Sequence, residues 1–166
     1  LLSNFTFKTS LTQGLVDHYD RLAGKVVGDY LTGQSGYILD VGSNDGTLLK
    51  KFQKRGFEVQ GVDPAAEIAH QAIEDGIPTE VDYMTPDLAD KLVANRGPAR
   101  AVTATNVFAH ADNLAGMMTA IRTVLAADGV FVFEASYLVD ILEHNLVGTI
   151  FHEHLSYHAV GPLVGF

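Results

Sequence analysis

The sequence predicts an α/β fold in which a parallel sheet carries helices on both faces, and three observations predict it. Five short apolar runs, at 37–41, 59–62, 78–81, 100–105 and 130–135, read as strands. Segments of helical period, with start and stop residues at their ends, separate them. The first run ends in Asp40 and opens into Gly42-Ser43-Asn44-Asp45-Gly46, a small flexible turn directly ahead of a helix. Strand–helix alternation implies right-handed crossovers, with ligands bound at the carboxyl ends of the strands where the winding reverses.

The elements follow in order. Over 13–31, apolar residues at Leu15, Tyr19, Leu22, Val26 and Tyr30 recur at helical spacing, with Thr12 as a cap and Gly33 as a stop. The remaining helices are expected at 47–55 ending at Gly56, at 65–75 between Pro64 and Gly76, at 86–95 behind Thr85, and at 113–126. Residues 1–34 thus form a helical lead-in, 35–136 the core, and 137–166 a tail of weaker periodicity carrying His144, His152, His154 and His158. The chain begins at Leu1 and ends on an apolar Gly-Pro-Leu-Val-Gly-Phe, so it reads as a piece of a longer protein.

With 166 residues and 47% hydrophobic content, the chain can bury a core of its own as one domain. A formal charge of −9 argues against gripping a nucleic-acid backbone, which relies on Lys and Arg, and leaves a small-molecule substrate as the default. Without cysteine there is no disulfide framework, thiol nucleophile or thiolate zinc cluster. The apolar runs are far shorter than the roughly 20 residues of a spanning helix, and the N-terminus lacks a secretory pattern, so a cytoplasmic protein without a membrane anchor is expected. Composition leaves the assembly state open.

A dinucleotide fingerprint would need G-x-G-x-x-G, but the later positions counted from Gly42 are Asn44 and Thr47. The spacing Asp40, Gly42, Gly46 instead lets backbone approach a ligand beside a carboxylate, which suits an ammonium and a sulfonium and repels a pyrophosphate. S-adenosylmethionine (SAM) is therefore favoured over NAD. Asp63, ending the second strand, is placed to accept from both ribose hydroxyls, although NAD enzymes carry an acid at similar spacing. Asp82 and Tyr83, after the third strand, are candidates for holding the adenine. The blander alternative is that the glycines make a tight turn and the two acids cap helices.

Four stretches carry a family resemblance: Asp40-Val41-Gly42-Ser43-Asn44-Asp45-Gly46, Asn106-Val107-Phe108-Ala109-His110, Gly129-Val130-Phe131-Val132-Phe133-Glu134 and His152-Glu153-His154-Leu155-Ser156-Tyr157. Together they resemble the SAM-dependent sugar C-methyltransferases that act on nucleotide-linked 4-keto-deoxysugars. The resemblance covers nearly the whole chain and implies a Rossmann-like class I methyltransferase fold, with strand order 3-2-1-4-5 and the usual last two strands missing. It also implies flanking domains in the parent enzyme.

The chemistry implied is removal of a proton beside a ketone and attack of the enolate on the sulfonium methyl, which needs a base and an oxyanion stabiliser. By resemblance His154 is the base, Glu153 orients it or holds sugar hydroxyls, and His110 faces the keto sugar. Tyr157 and Glu134 are candidate substrate contacts. The sequence departs from the pattern at Phe5 and Phe151, where tyrosines are expected, so two hydroxyls are missing. A SAM-binding module without independent catalysis therefore stays open, as does a metal site on His152, Glu153, His154 and His158. The latter fails the zinc-protease spacing, because His-Glu-x-x-His would need His where Ser156 stands.

Overall fold

The computed structural model describes residues 7–150 and 152–165. A 3-10 turn, Thr9–Leu11, leads into helix α1 (Gln13–Tyr30). Then follow β1 (Tyr37–Val41), α2 (Thr47–Gln53), β2 (Glu58–Val62), α3 (Ala66–Glu74), β3 (Thr79–Glu80), α4 (Pro86–Arg96) and β4 (Ala99–Thr105). A second 3-10 turn, Phe108–His110, precedes α5 (Leu114–Val124) and β5 (Leu125–Glu134), and the tail adds α6 (Leu138–Glu143) and α7 (Val160–Leu163).

The sheet is parallel throughout, in the order β3-β2-β1-β4-β5, as the strand–helix alternation implies. β1 lies at its centre, with Leu39 opposite Gln60 on one side and Val102 on the other. Alternation along the strands divides the core. Leu39, Val41, Val102 and Ala104 face α4 and α5, where Leu88, Leu92, Ile121 and Val124 are buried. Ile38 and Ala101 face α1 and α2, against Tyr19, Ala23, Val26, Leu49 and Phe52.

Local chemistry sets the helix starts. Thr85 Oγ1 accepts from Leu88 N (3.3 Å) with Pro86 in the first turn, and Asn113 Oδ1 accepts from Gly116 N (2.9 Å). Thr12 holds the expected cap position of α1, but its side chain makes no capping hydrogen bond there; its carbonyl accepts from Leu15 N and Val16 N instead.

The structure corrects the sequence-based boundaries at two strands. β3 is only two residues long, and Val81 lies beyond it. β5 begins at Leu125, not 130, because α5 stops at Val124. Its register then jumps: Leu125 pairs with Ala99 and Val130 with Ala101, so residues 126–129 stand opposite Arg100 alone. Gly129 permits this fold-back, since a Cβ there would meet Leu125 Cδ1 at 2.8 Å and two backbone oxygens at 3.0 Å. Arg100 and Asp128 pair across it at 2.7 Å. Among the described residues no helix is long and apolar enough to cross a membrane.

Candidate active site

The carboxyl ends of β1, β2 and β4 open into a cavity of about 1330 Å³. Its floor is the turn after β1. Gly42 N and Ser43 N both donate to Val62 O (2.8 and 3.2 Å), folding the turn onto the end of β2. Gly42 has φ +72°, and a Cβ there would meet Val107 Cγ2 at 2.5 Å, so only glycine brings the turn this close to Val107, two residues past β4.

Asp40 lies beneath this turn, 2% exposed, with Thr103 Oγ1 donating to its Oδ1 at 2.6 Å. Burial pushes its carboxyl up to about 7; the Thr103 hydrogen bond pulls the other way and the Asp63 charge adds to the rise. Asp63 accepts from Asn44 N on Oδ2 and from Ala65 N on Oδ1, each at 2.8 Å. Burial raises it as well, against the pull of those two amides. Each of its oxygens keeps a lone pair for a further donor. Asp82 and Tyr83 are exposed on the far wall, where Asp82 Oδ1 accepts from Tyr83 N at 2.7 Å.

Asn44 lines the cavity, but its side chain is committed elsewhere. Oδ1 accepts from Thr9 N (3.0 Å) and Thr9 Oγ1 (3.3 Å), while Nδ2 donates to Phe7 O (2.8 Å). Asp45 adds Ser10 N (2.9 Å), so the turn after β1 clamps the lead-in over the site. Gly46 does not line the cavity; at φ +72° it starts α2.

The opposite wall comes from the second 3-10 turn and the tail. Leu155 N and Ser156 N both donate to Ala109 O (2.7 and 3.3 Å), which pins the tail to the end of β4. His110 Nδ1 lies 2.8 Å from Glu153 O; a carbonyl only accepts, so this nitrogen carries the proton and Nε2 keeps its lone pair in the neutral ring. The His154 ring stands edge-on to His110 at 5.0 Å and to Tyr157 at 5.5 Å between centroids. Burial, then the neighbouring His110, holds the His154 pKa below the usual histidine value against the pull of Glu153, which favours the neutral, proton-accepting ring.

The structure therefore brings Asp40, Gly42, Asn44, Asp63, Asp82, Tyr83, His110, Glu153 and His154 around one cavity. It does not bring Glu134 or Tyr157 to its lining. Glu134 ends β5 in a smaller hollow beside Phe133, Tyr137 and His158, and its Oε1 pairs with His18 Nε2 at 2.7 Å. Tyr157 donates to Thr149 O at 3.3 Å. Phe5 and Phe151 lie outside the described residues. His152, Glu153, His154 and His158 form no three-ligand cluster among the described residues, where the one such grouping is exposed Asp140, Glu143 and His144 at the end of α6.

Sequence reasoning missed Thr103, Thr105 and the polar role of Tyr19, whose hydroxyl lies 2.8 Å from Thr105 Oγ1. The signal was present: two threonines alternate in the run after Arg100 and share the face that carries Asp40. Asp45 and His18 were passed over because their partners, Ser10 and Glu134, are 35 and 116 residues away.

A methyltransferase-domain model matches residues 11–159. The C-methyltransferase NovU of Streptomyces niveus is 31% identical over 163 residues, 98% of this chain and 39% of NovU, so the chain spans about two fifths of that relative's length. Among solved structures, YcgJ of Bacillus subtilis superposes with a TM-score of 0.67 at 17% identity, covering 90% of this chain and 65% of YcgJ. The magnesium protoporphyrin IX methyltransferase of Synechocystis, solved with bound S-adenosylhomocysteine (SAH), gives 0.63 at 16% identity, covering 91% and 70%. The match over residues 11–159, on this five-stranded sheet and this glycine turn, establishes that the chain belongs to the methyltransferase-domain family, with a Rossmann-like class I fold and SAM as its cofactor.

Proposed function

We propose that this chain is the donor-binding and proton-abstracting part of a C-methyltransferase acting on a carbon beside the keto group of a nucleotide-linked deoxysugar. The observation that carries the reading is the shared cavity: His110, Glu153 and His154 on one wall, the Asp40–Gly42 turn and Asp63 on the other. When bound, SAM supplies an electrophilic methyl on a positively charged sulfur. The lining fits such a cation, because it includes the carboxyls of Asp40, Asp63, Asp82, Asp112 and Glu153 and, among the described residues, no Lys or Arg. Asp63 is placed for the ribose, Asp82 and Tyr83 for the adenine, and the Gly42 backbone for close approach.

On the opposite wall His154 takes the proton from the carbon next to the ketone. His110, whose Nδ1 is fixed by the Glu153 carbonyl, faces the keto group of the sugar. The similarity to NovU supports carbon as the methyl acceptor. Among the described residues the lining holds no Lys or Arg, which limits what this cavity takes: the sugar ring enters, while the diphosphate of the nucleotide stays outside it.

Calorimetry with SAM, followed by a screen of keto-sugar nucleotides with mass-spectrometric detection, tests cofactor and acceptor separately. The expected result is donor binding and a mass gain of one methyl on the sugar. Donor binding without a methylated product from any keto sugar would favour a cofactor-binding module instead.

A further inference from the structure

We propose that Tyr19 and Thr105 form a hydroxyl pair that binds the carboxylate of the donor's methionine portion, an inference that rests on the donor lying between the Asp40 turn and Asp63. Tyr19 reaches from α1 and Thr105 ends β4; both line the cavity, both are more than nine-tenths buried, and their oxygens are 2.8 Å apart.

Proton counting gives the pair its use. Two hydroxyls hold two protons, and the bond between them uses one, whichever oxygen donates. One O–H is left over, and a buried donor requires an acceptor. Burial pushes the Tyr19 hydroxyl up to about 12, so it stays a donor across the physiological range. The methionine carboxylate is the anion to be held, and among the described residues the lining offers it no Lys or Arg. Neutral donors are what the lining offers, and the O–H left over from this pair is one of them.

Position agrees with this assignment. Asp40 stands opposite Thr103 in the β1–β4 register, and Thr105 lies two residues further along the same face, about 6–7 Å toward the carboxyl end. One amino-acid head spans that step with a hydrogen bond at each end. The ammonium turns to Asp40 and the carboxylate to the hydroxyl pair, so opposite ends of a zwitterion meet a carboxylate and a neutral donor.

The test compares two ligands by calorimetry on the intact protein. SAH carries the amino-acid head; 5′-methylthioadenosine has the same adenosine and thioether without it. Tyr19→Phe is expected to weaken SAH about tenfold, the scale of one hydrogen bond to a charged group, and to leave 5′-methylthioadenosine unchanged. Thr105→Val is expected to do the same and Thr105→Ser to restore binding, which keeps the comparison available if Tyr19→Phe does not fold. Equal weakening of both ligands, or a fall in turnover with SAH affinity intact, would overturn the proposal. Failure of the underlying site looks different: Asp63→Asn, aimed at the pentose, is expected to weaken both ligands alike, and wild-type affinities indifferent to that change would remove the site and the pair together.

Discussion

The two walls of the cavity are built in different ways. The donor wall consists of strand ends: Asp40 and Asp63 are 2% and 7% exposed, each held by hydrogen bonds from neighbouring backbone or strand side chains. The acceptor wall is half-buried and is carried by a tail that reaches the core through the Ala109 carbonyl and the His110 ring. Groups on the donor wall are buried and hydrogen-bonded to β4 and to the turns after β1 and β2, so changing them disturbs fold and binding together. Groups on the acceptor wall hang from it, and their chemistry is separable from stability.

His154→Asn breaks that comparison most sharply. Asparagine keeps a polar side chain but cannot take a proton, so turnover of the intact enzyme is expected to fall by about 10²–10⁴-fold, the usual worth of a positioned base. SAH affinity and melting temperature are expected to stay near wild type. Unchanged turnover in a stopped assay would remove His154 from its role, and a collapsed melting temperature would show that the tail is as integral to the fold as the donor wall.

A second, smaller effect belongs to the donor wall. The Asp40 carboxyl sits at about 7, against an ordinary 3.8, because burial penalises its charge. A cationic donor prefers the ionised form, so binding must first remove a proton at acid pH. SAM affinity is therefore expected to rise up to about tenfold from pH 6 to pH 8, with proton release on binding, and to lose this slope in Asp40→Asn. The linked stability runs the opposite way. Between its unfolded value and about 7 the native Asp40 holds more protons than the unfolded chain, so its contribution to stability is full at low pH and is lost as pH rises through about 7. Titration calorimetry in two buffers checks the first part, and melting curves of wild type against Asp40→Asn the second.

The same division explains what the sequence discloses. The glycine turn, both strand-end acids and the strand order are legible because local chemistry dictates them: Asp40 and Asp63 close apolar runs, and alternation with helices leaves few topologies. The two-residue β3 and the early start of β5 are not, since both depend on the neighbouring strand; Gly129 folds back against Arg100, a contact no local pattern encodes. His110 and His154 were found by motif resemblance, but their approach to 5.0 Å comes from a backbone bond between residues 155 and 109. Glu134 shows the same limit: its strand-end position is legible in the sequence, but that β5 is an edge strand and that His18 takes up its carboxylate are not.

The smallest expected effect concerns the lead-in, which joins the donor wall without belonging to the sheet. Asp45 receives Ser10 N at 2.9 Å on one oxygen and Thr47 Oγ1 at 2.6 Å on the other. Burial pushes this carboxyl up, but the hydrogen bonds from Ser10 and Thr47 outweigh it and hold the pKa below the usual carboxylate value. Asp45→Asn keeps the shape and removes the charge, so a loss of about 1–2 kcal/mol is expected, the difference between charged and neutral hydrogen bonds. For a chain of this size that lowers the melting temperature by about 2–8 °C. Because the native pKa is depressed, this stabilisation is present above the unfolded value and is lost as pH falls through the native one, so the two melting curves are expected to converge in acid. Proteolysis near residues 7–12 is expected to speed up in the variant. If cleavage there stays at the wild-type rate, the clamp between Asp45 and Ser10 is not what holds the lead-in over the site.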